Sequence, residues 1–340
     1  MKERTRLGIL GAGWVVEGLH LPVLRAIEGI DIAWICDPDR ARVGLVASLF
    51  EIPSHHTALS GAGDVDAVLV ATPVHTRRAL VEEALSRGFH AFCEKPFAPG
   101  LDDHHFMVAE ARRRGLRLGV ALMRRWYWST TLAQGLLGAA VFGEVVSAVA
   151  GEGSRMQRTG RGSGWYQSSA AASGGGAMRE TGSHLVDQLF SVVNGRSYRI
   201  DRCRQRSFEG LELETAAGGT LVSGSGAEVA FSLCVSRLRD TWNGVAVRCQ
   251  GAELRLGLHA DSPVEVRKRD GSLVTRFAAP ETGAPALLSA VRAEWIAFLG
   301  AVARGEELHD EETGLLATEF IDDCYRAAVS ASASRAGGVR

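Results

Sequence analysis

Over the first third of the chain, short apolar, β-branched runs alternate with segments of helical spacing. The runs are LGIL (7–10), IDIAWIC (30–36), DAVLVAT (66–72), FHAFC (89–93) and LRLGVAL (116–122). Between them lie helix-length segments at about 14–27, 39–50, 75–87 and 102–114. The stretch ALVEEALSRG (79–88) has the clearest helical periodicity and ends on Gly88, a C-cap residue. Asp37 and Asp102 each precede a helical segment and are candidate N-terminal caps. Such alternation predicts a doubly wound parallel sheet with helices on both faces.

The pattern changes after residue 122. Residues 151–177 are rich in Gly, Ser and Ala, and a helix is expected at about 179–193. Closely spaced strand-like runs follow: RIDRCRQRSFE, LELETAAG, AEVAFSLCVSRL, GVAVRCQGAELRLGL and VEVRKRDGSLVTRF. The last contains Asp270-Gly271, a hairpin turn signal. Helices at about 286–303 and 311–331 close the chain. The expected second domain is therefore α+β with a large open, mainly antiparallel sheet. The expected division is 1–122 and 123–340, with the C-terminal helix packing back on the first domain.

Composition narrows the classes of function. With 46% hydrophobic and 23% charged residues, the chain has the make-up of a globular protein. A formal net charge of -1 offers no broad basic field, so no nucleic-acid partner is expected; the basic run RRRGLR (112–117) reads as a solvated helix end. Six cysteines without C-x-x-C spacing read as reduced, mostly buried thiols, which points to the cytoplasm. No apolar run reaches the ~18–20 residues of a membrane span, and the N-terminus has no signal-peptide pattern, so no membrane partner is expected. Neither is a metal, because no Cys or second His stands at ligand spacing beside the one His-bearing acidic cluster described below. The pairs His55/His56 and His104/His105 read as surface residues without a role.

The first chemical signal is Gly11-Ala12-Gly13, which joins the first strand to the first helix. Glycines there allow a tight turn and let backbone N–H groups, with those of Trp14 and Val15, approach a pyrophosphate. The third fingerprint position holds Val16 where Gly or Ala is usual. Asp37 ends the second strand, where an acid accepts hydrogen bonds from adenosine ribose hydroxyls and repels a 2′-phosphate. The combination predicts a Rossmann domain binding NAD, with NADP the alternative because Arg40 and Arg42 lie near. The third strand ends in ATPVHT, so Thr72, Pro73 and His75 join the expected cofactor site. The fourth ends in FCEKPF, and ligands of such sheets bind beyond the carboxyl ends of the strands.

Lys95 stands out by composition. Lysine occurs only at 2, 95 and 268, so 35 of 38 basic residues are arginine. Arginine stays charged, whereas a desolvated lysine can release its proton and exchange it with a reacting oxygen. A paired surface lysine beside Glu94 is the plainer alternative. A second cluster, Glu180, His184 and Asp187, recurs at i, i+4 and i+7 on one helical face, where carboxylates can orient a histidine for proton transfer.

GAGWVVEGLHLP, ATPVHT, EKPFAPG, MRRW and GGGAMRETGSHLVD occur in the order and spacing of the glucose–fructose oxidoreductase / inositol dehydrogenase / MocA family. The chain resembles that family over nearly its whole length. The resemblance implies that Glu94-Lys95-Pro96 carries a cis proline peptide, and that Lys95 contacts substrate and cofactor. It places His184 at the family's histidine, Asp187 at its later acid, and Glu180 where aspartate is usual. MRRW puts Arg124 beside the cofactor and Arg125 beside the substrate. Arg77 stands where many relatives have histidine.

The expected activity is NAD(P)-dependent hydride transfer between nicotinamide and a hydroxyl or keto carbon of a sugar, cyclitol or nucleotide-linked sugar. Lys95 and His184 handle the proton, with Glu180 or Asp187 positioning the histidine or substrate. Trp165 and Tyr166 mark 151–177 as either a substrate-covering segment or a linker. The β-rich half is expected to supply a homodimer or homotetramer surface. The alternatives are a non-catalytic regulator that senses dinucleotide or sugar, and an enzyme that retains its NAD through a non-redox net reaction.

Overall fold

Six parallel strands form the first sheet in the order β3-β2-β1-β4-β5-β6. They are β1 (Thr5–Leu10), β2 (Ile30–Cys36), β3 (His55–His56), β4 (Ala67–Val70), β5 (His90–Cys93) and β6 (Leu118–Val120). The computed structural model describes residues 4–155, 175–306 and 309–336, with side chains of 309–313 and 329–336 not described. β4 is buried from end to end, and β5 is buried after the half-buried His90, as their apolar runs predict. His55–His56, read from the sequence as surface residues, forms the sheet edge and pairs with Ile35 and Cys36.

The chain divides into two compact units, one of Met1–Met123 with Leu288–Glu312, the other of Arg124–Leu287 with Thr313–Arg340. In the first, helices α2 (Arg40–Leu49), α3 (Val74–Ser86) and α4 (Leu101–Arg113) connect the strands. The first connection is a π-helical turn, Val16–His20, running into α1 (Leu21–Arg25). Pro22 explains the wide turn: it has no N–H to donate and its ring crowds the carbonyl four residues back. Leu21 N–H accordingly reaches Val16 O. Val16 itself is fully buried in the core formed by Leu7, Ile9 and Ala12.

Asp39, not Asp37, caps α2, its carboxylate accepting from Ala41 and Arg42 N–H at 3.0 Å. Asp102 lies inside the first turn of α4, which begins after Gly100. His104 is completely buried, edge-on to Phe97 at 4.4 Å between centroids, contrary to its expected surface position. The helix α8 (Ala284–Arg304) completes this unit's core with Val291, Trp295, Phe298 and Ala301. By length and composition alone α8 could cross a membrane, which the expectation of no such run overlooked, yet these four side chains lie in the core.

The second unit holds an eight-stranded sheet in the order β14-β13-β12-β11-β7-β10-β9-β8. Its strands are β7 (Val145–Gly153), β8 (Gly195–Phe208), β9 (Leu211–Ser223), β10 (Glu228–Ser236), β11 (Gly244–Cys249), β12 (Glu253–Leu256), β13 (Val264–Arg267) and β14 (Leu273–Phe277). Every pairing is antiparallel except β7 with β10, so the mainly antiparallel expectation holds. The Asp270-Gly271 signal closes the β13–β14 hairpin, with Gly271 at φ +85°. Helices α5 (Trp128–Gly138), α6 (Ala177–Glu180), α7 (Gly182–Val193) and α9 (His309–Ala336) accompany the sheet. The expected single helix at 179–193 is thus two, starting earlier and interrupted between Glu180 and Gly182.

Candidate active site

Strand register brings the sequence signals of the first unit to one edge of one sheet. Leu10 pairs with Cys36 and Val70, and Val70 with Cys93. The residues that follow, Gly11, Asp37, Ala71-Thr72 and Glu94-Lys95, therefore leave the sheet side by side. Gly11 adopts φ +104°, and a Cβ there would stand 2.4 Å from Ala71 O, so only glycine fits. Gly13 is exposed with open space where a Cβ would be, leaving room before the helix. The first helical turn leaves N–H groups of Gly13, Trp14 and Val15 without intrahelical acceptors, a donor set that suits a pyrophosphate. Trp14 is largely exposed beside it.

Asp37 sits against this turn. Its Oδ2 accepts from Ala12 N–H at 2.8 Å and its Oδ1 from Asp39 N–H at 2.9 Å, which leaves lone pairs for ribose hydroxyls. Arg42 donates Nε–H to Ala12 O at 2.7 Å and pairs with Glu17, while Arg40 points into solvent. The guanidinium nearest the acid is therefore held locally. Thr72 Oγ1 accepts from Thr76 at 3.1 Å, and Pro73 and His75 are exposed at the start of α3.

The Lys95–Pro96 peptide is cis. Around it, Arg77 is the organising residue, to which the sequence reading gave no role. Its guanidinium is buried and donates to Thr72 O at 2.6 Å and to the carbonyls of Glu94 and Pro96. Glu94 accepts Lys95 N–H at 3.0 Å and is hydrogen-bonded to His20 at 2.9 Å. Burial opposes the charge on Glu94, but the His20 bond and the charges of Lys95 and Arg77 outweigh it and hold the carboxyl below its usual range. Next to it, burial pushes the Cys93 thiol up to about 12, so it remains an unreactive thiol.

In the second unit, His184 on α7 is buried and Glu180 at the end of α6 is half-buried. The segment before them is held by Glu212, which accepts from Met178 N–H at 2.8 Å, Thr215 at 2.9 Å and Tyr325 at 3.2 Å. Gly176 N–H donates to Tyr325 Oη at 3.2 Å, and a Cβ at Gly176 would stand 2.1 Å from Glu212 O. The sequence reading missed Glu212 and Tyr325, which no local spacing ties to the glycine run.

Three charged residues of the expected site are held in ion pairs. Asp187 has no exposed surface, and both its oxygens accept from Arg125, with Nε 2.8 Å from Oδ2. This buried ion pair joins the two side chains offered as substrate contacts and braces α7. Arg124, offered for the cofactor, grips Glu152 in a fork at 2.7 and 2.9 Å. Trp165 and Tyr166 lie outside the described residues. Among the described residues, no cluster of three or more His, Cys, Asp or Glu could hold a metal ion.

Comparison with known proteins agrees with this geometry. The family described as an oxidoreductase family with an NAD-binding Rossmann fold matches residues 5–122. A D-apiose dehydrogenase from Paraburkholderia graminis is 29% identical over 310 residues, spanning 88% of this chain and 78% of that one. A dTDP-3,4-didehydro-2,6-dideoxy-alpha-D-glucose 3-reductase from Streptomyces antibioticus is 35% identical over 117 residues, 34% of this chain and 36% of that one. Among solved structures, a 3-ketoreductase from Actinomadura kijaniata in complex with NADP and TDP-benzene superposes with TM-score 0.81 at 20% identity. It covers 96% of this chain and 98% of that one, a likeness of fold. The glycine turn, the aligned strand ends and the family match together identify residues 5–122 as an NAD-binding Rossmann domain of this oxidoreductase family.

Proposed function

We propose that the protein is an NAD-dependent dehydrogenase or reductase acting on a hydroxyl or keto carbon of a sugar, cyclitol or nucleotide-linked sugar. The observation that carries this reading is the alignment of Gly11, Asp37, Thr72 and Glu94-Lys95 along one sheet edge. The apiose dehydrogenase and the dTDP-sugar reductase support the substrate class. Asp37, together with the engagement of Arg42 by Ala12 O and Glu17, supports NAD over NADP.

Bound NAD supplies the hydride acceptor; the protein's own task is the hydroxyl proton. Neutral alcohols are poor acids, and a positioned base contributes about 10²–10⁴-fold. Lys95 Nζ takes that role in this proposal, and His184 shares the proton handling with Glu180, at the end of the preceding helix. The same groups return a proton to oxygen when a ketone is reduced. Arg77, by holding the carbonyls on both sides of Lys95, limits the movement of the lysine backbone.

A screen of sugars, cyclitols and sugar nucleotides for NAD(H) absorbance change tests this reading, with Lys95→Ala and His184→Ala as controls. Both variants are expected to lose turnover while still binding NAD. Near-wild-type turnover in both sinks the proton assignment. NAD binding with no isotope transfer from any member of the panel favours the sensing alternative.

A further inference from the structure

Beneath the Glu94-Lys95 turn lies a buried chain of three side chains from three distant parts of the first unit. Trp295 on α8 donates its indole N–H to His20 Nδ1 at 2.9 Å. His20 Nε2 lies 2.9 Å from Glu94 Oε1, and Glu94 Oε2 accepts Lys95 N–H at 3.0 Å. Trp295 is fully buried and His20 nearly so.

Donor inventory fixes every proton in this chain. Indole N–H can only donate, so Nδ1 of His20 must offer a lone pair. A neutral imidazole then carries its hydrogen on Nε2, and that hydrogen can only be donated to Glu94. Glu94 is left as an acceptor at both oxygens, one facing His20 and the other facing the Lys95 backbone. A doubly protonated His20 would set an N–H against the Trp295 N–H. The ring is further confined by edge-on contacts with Trp295, at 5.8 Å between centroids, and Phe92, at 6.4 Å. His20 also sits at the end of the π-helical turn, in the LHLP stretch whose proline accounts for that turn.

We propose that His20 is a positioning residue for Lys95: held as the Nε2–H tautomer by Trp295, it fixes the Glu94 carboxylate that in turn holds the Lys95 backbone. The inference rests on the reading of Lys95 as the proton-handling group. Without His20, Oε1 of Glu94 loses its donor and the carboxylate can rotate away from Lys95 N–H. A displacement of about 1 Å at a reacting group costs on the order of a hundredfold in rate. Partial loosening should cost about tenfold by the same reasoning.

The test compares His20→Leu with His20→Gln, whose amide can accept from Trp295 and donate to Glu94. Measured quantities are kcat, KM, the Kd for NAD by fluorescence titration, and the imidazole nitrogen resonances of the wild-type protein. His20→Leu is expected to lower kcat about tenfold or more while the Kd for NAD stays within about twofold, and His20→Gln to recover most of the loss. If His20→Leu does not fold, Trp295→Phe carries the same comparison, since it keeps an aromatic ring, though a smaller one, and removes the N–H donor. Resonances showing a proton on Nδ1, wild-type kcat in His20→Leu, or equal impairment of the Leu and Gln variants would overturn the proposal. Lys95→Met separates the two claims: wild-type turnover in that variant refutes the role of Lys95, whereas loss there beside wild-type kcat in His20→Leu refutes only the role of His20.

Discussion

Replacing Arg77 by methionine probes the turn most directly. The guanidinium donates to three main-chain carbonyls, those of Thr72, Glu94 and Pro96, at a site only 2% exposed. Hydrogen bonds to a charged donor contribute about 1.5–3 kcal/mol each, a gross contribution of about 4.5–9 kcal/mol. Burying the charge costs several kcal/mol in return; burial accordingly lowers the proton affinity of Arg77, which Cys93 and Glu94 partly restore. The net expected loss on substitution is about 3 kcal/mol, with the carbonyls left short of donors. For a domain of roughly this size, that is about 6–12 °C in Tm. Urea unfolding followed by tryptophan fluorescence measures it, with Arg77→Lys as an intermediate that keeps the charge but cannot span all three acceptors. A loss below about 1 kcal/mol in Arg77→Met would refute the reasoning, because the carbonyls would then be satisfied without the guanidinium.

Other outcomes follow from the same geometry. The double substitution Glu17→Ala with Asp37→Ser should release Arg42 and remove the acid that repels a 2′-phosphate, tightening NADP binding about tenfold in a fluorescence titration. Arg125→Met should cost about 3–5 kcal/mol by removing the counter-ion of buried Asp187, and adding Asp187→Leu should restore much of it in urea unfolding. Burial, helped by His105, lowers His104 to about 3 from an ordinary 6.5. Between these values the unfolded chain binds a proton that the folded chain refuses, so stability should fall as pH drops below about 6.5, by up to about 1.4 kcal/mol per pH unit. His104→Met should flatten that acid limb.

The local signals were those with a local cause. The glycine turn is visible because Gly11 needs a positive φ and a close approach to Ala71, and Lys95 because a lone lysine among arginines sits at a strand end. Both depend on a few adjacent residues. The N-cap of α2 went to the wrong aspartate because Asp37 and Asp39 lie two residues apart, and only the backbone decides which one faces the N–H groups of α2. His104 looked like surface because helix periodicity does not say which flank meets Phe97.

The partnerships between distant residues were not legible. Arg77, His20 and Glu212 acquire their meaning from groups up to 275 positions away, as with Trp295 and His20. Arg125 and Asp187, read as substrate contacts, are also each other's counter-ions across 62 positions. The sequence by itself determined the strand–helix alternation of the first unit apart from the short β3, the glycine turn, the acid after the second strand and the identity of Lys95, since each follows from periodicity or neighbouring residue types. The tertiary structure alone decided which charges are paired and which carbonyls Arg77 holds. It also decided how α8 reaches back to lock His20, because a hydrogen bond between distant side chains leaves no periodic trace in either segment.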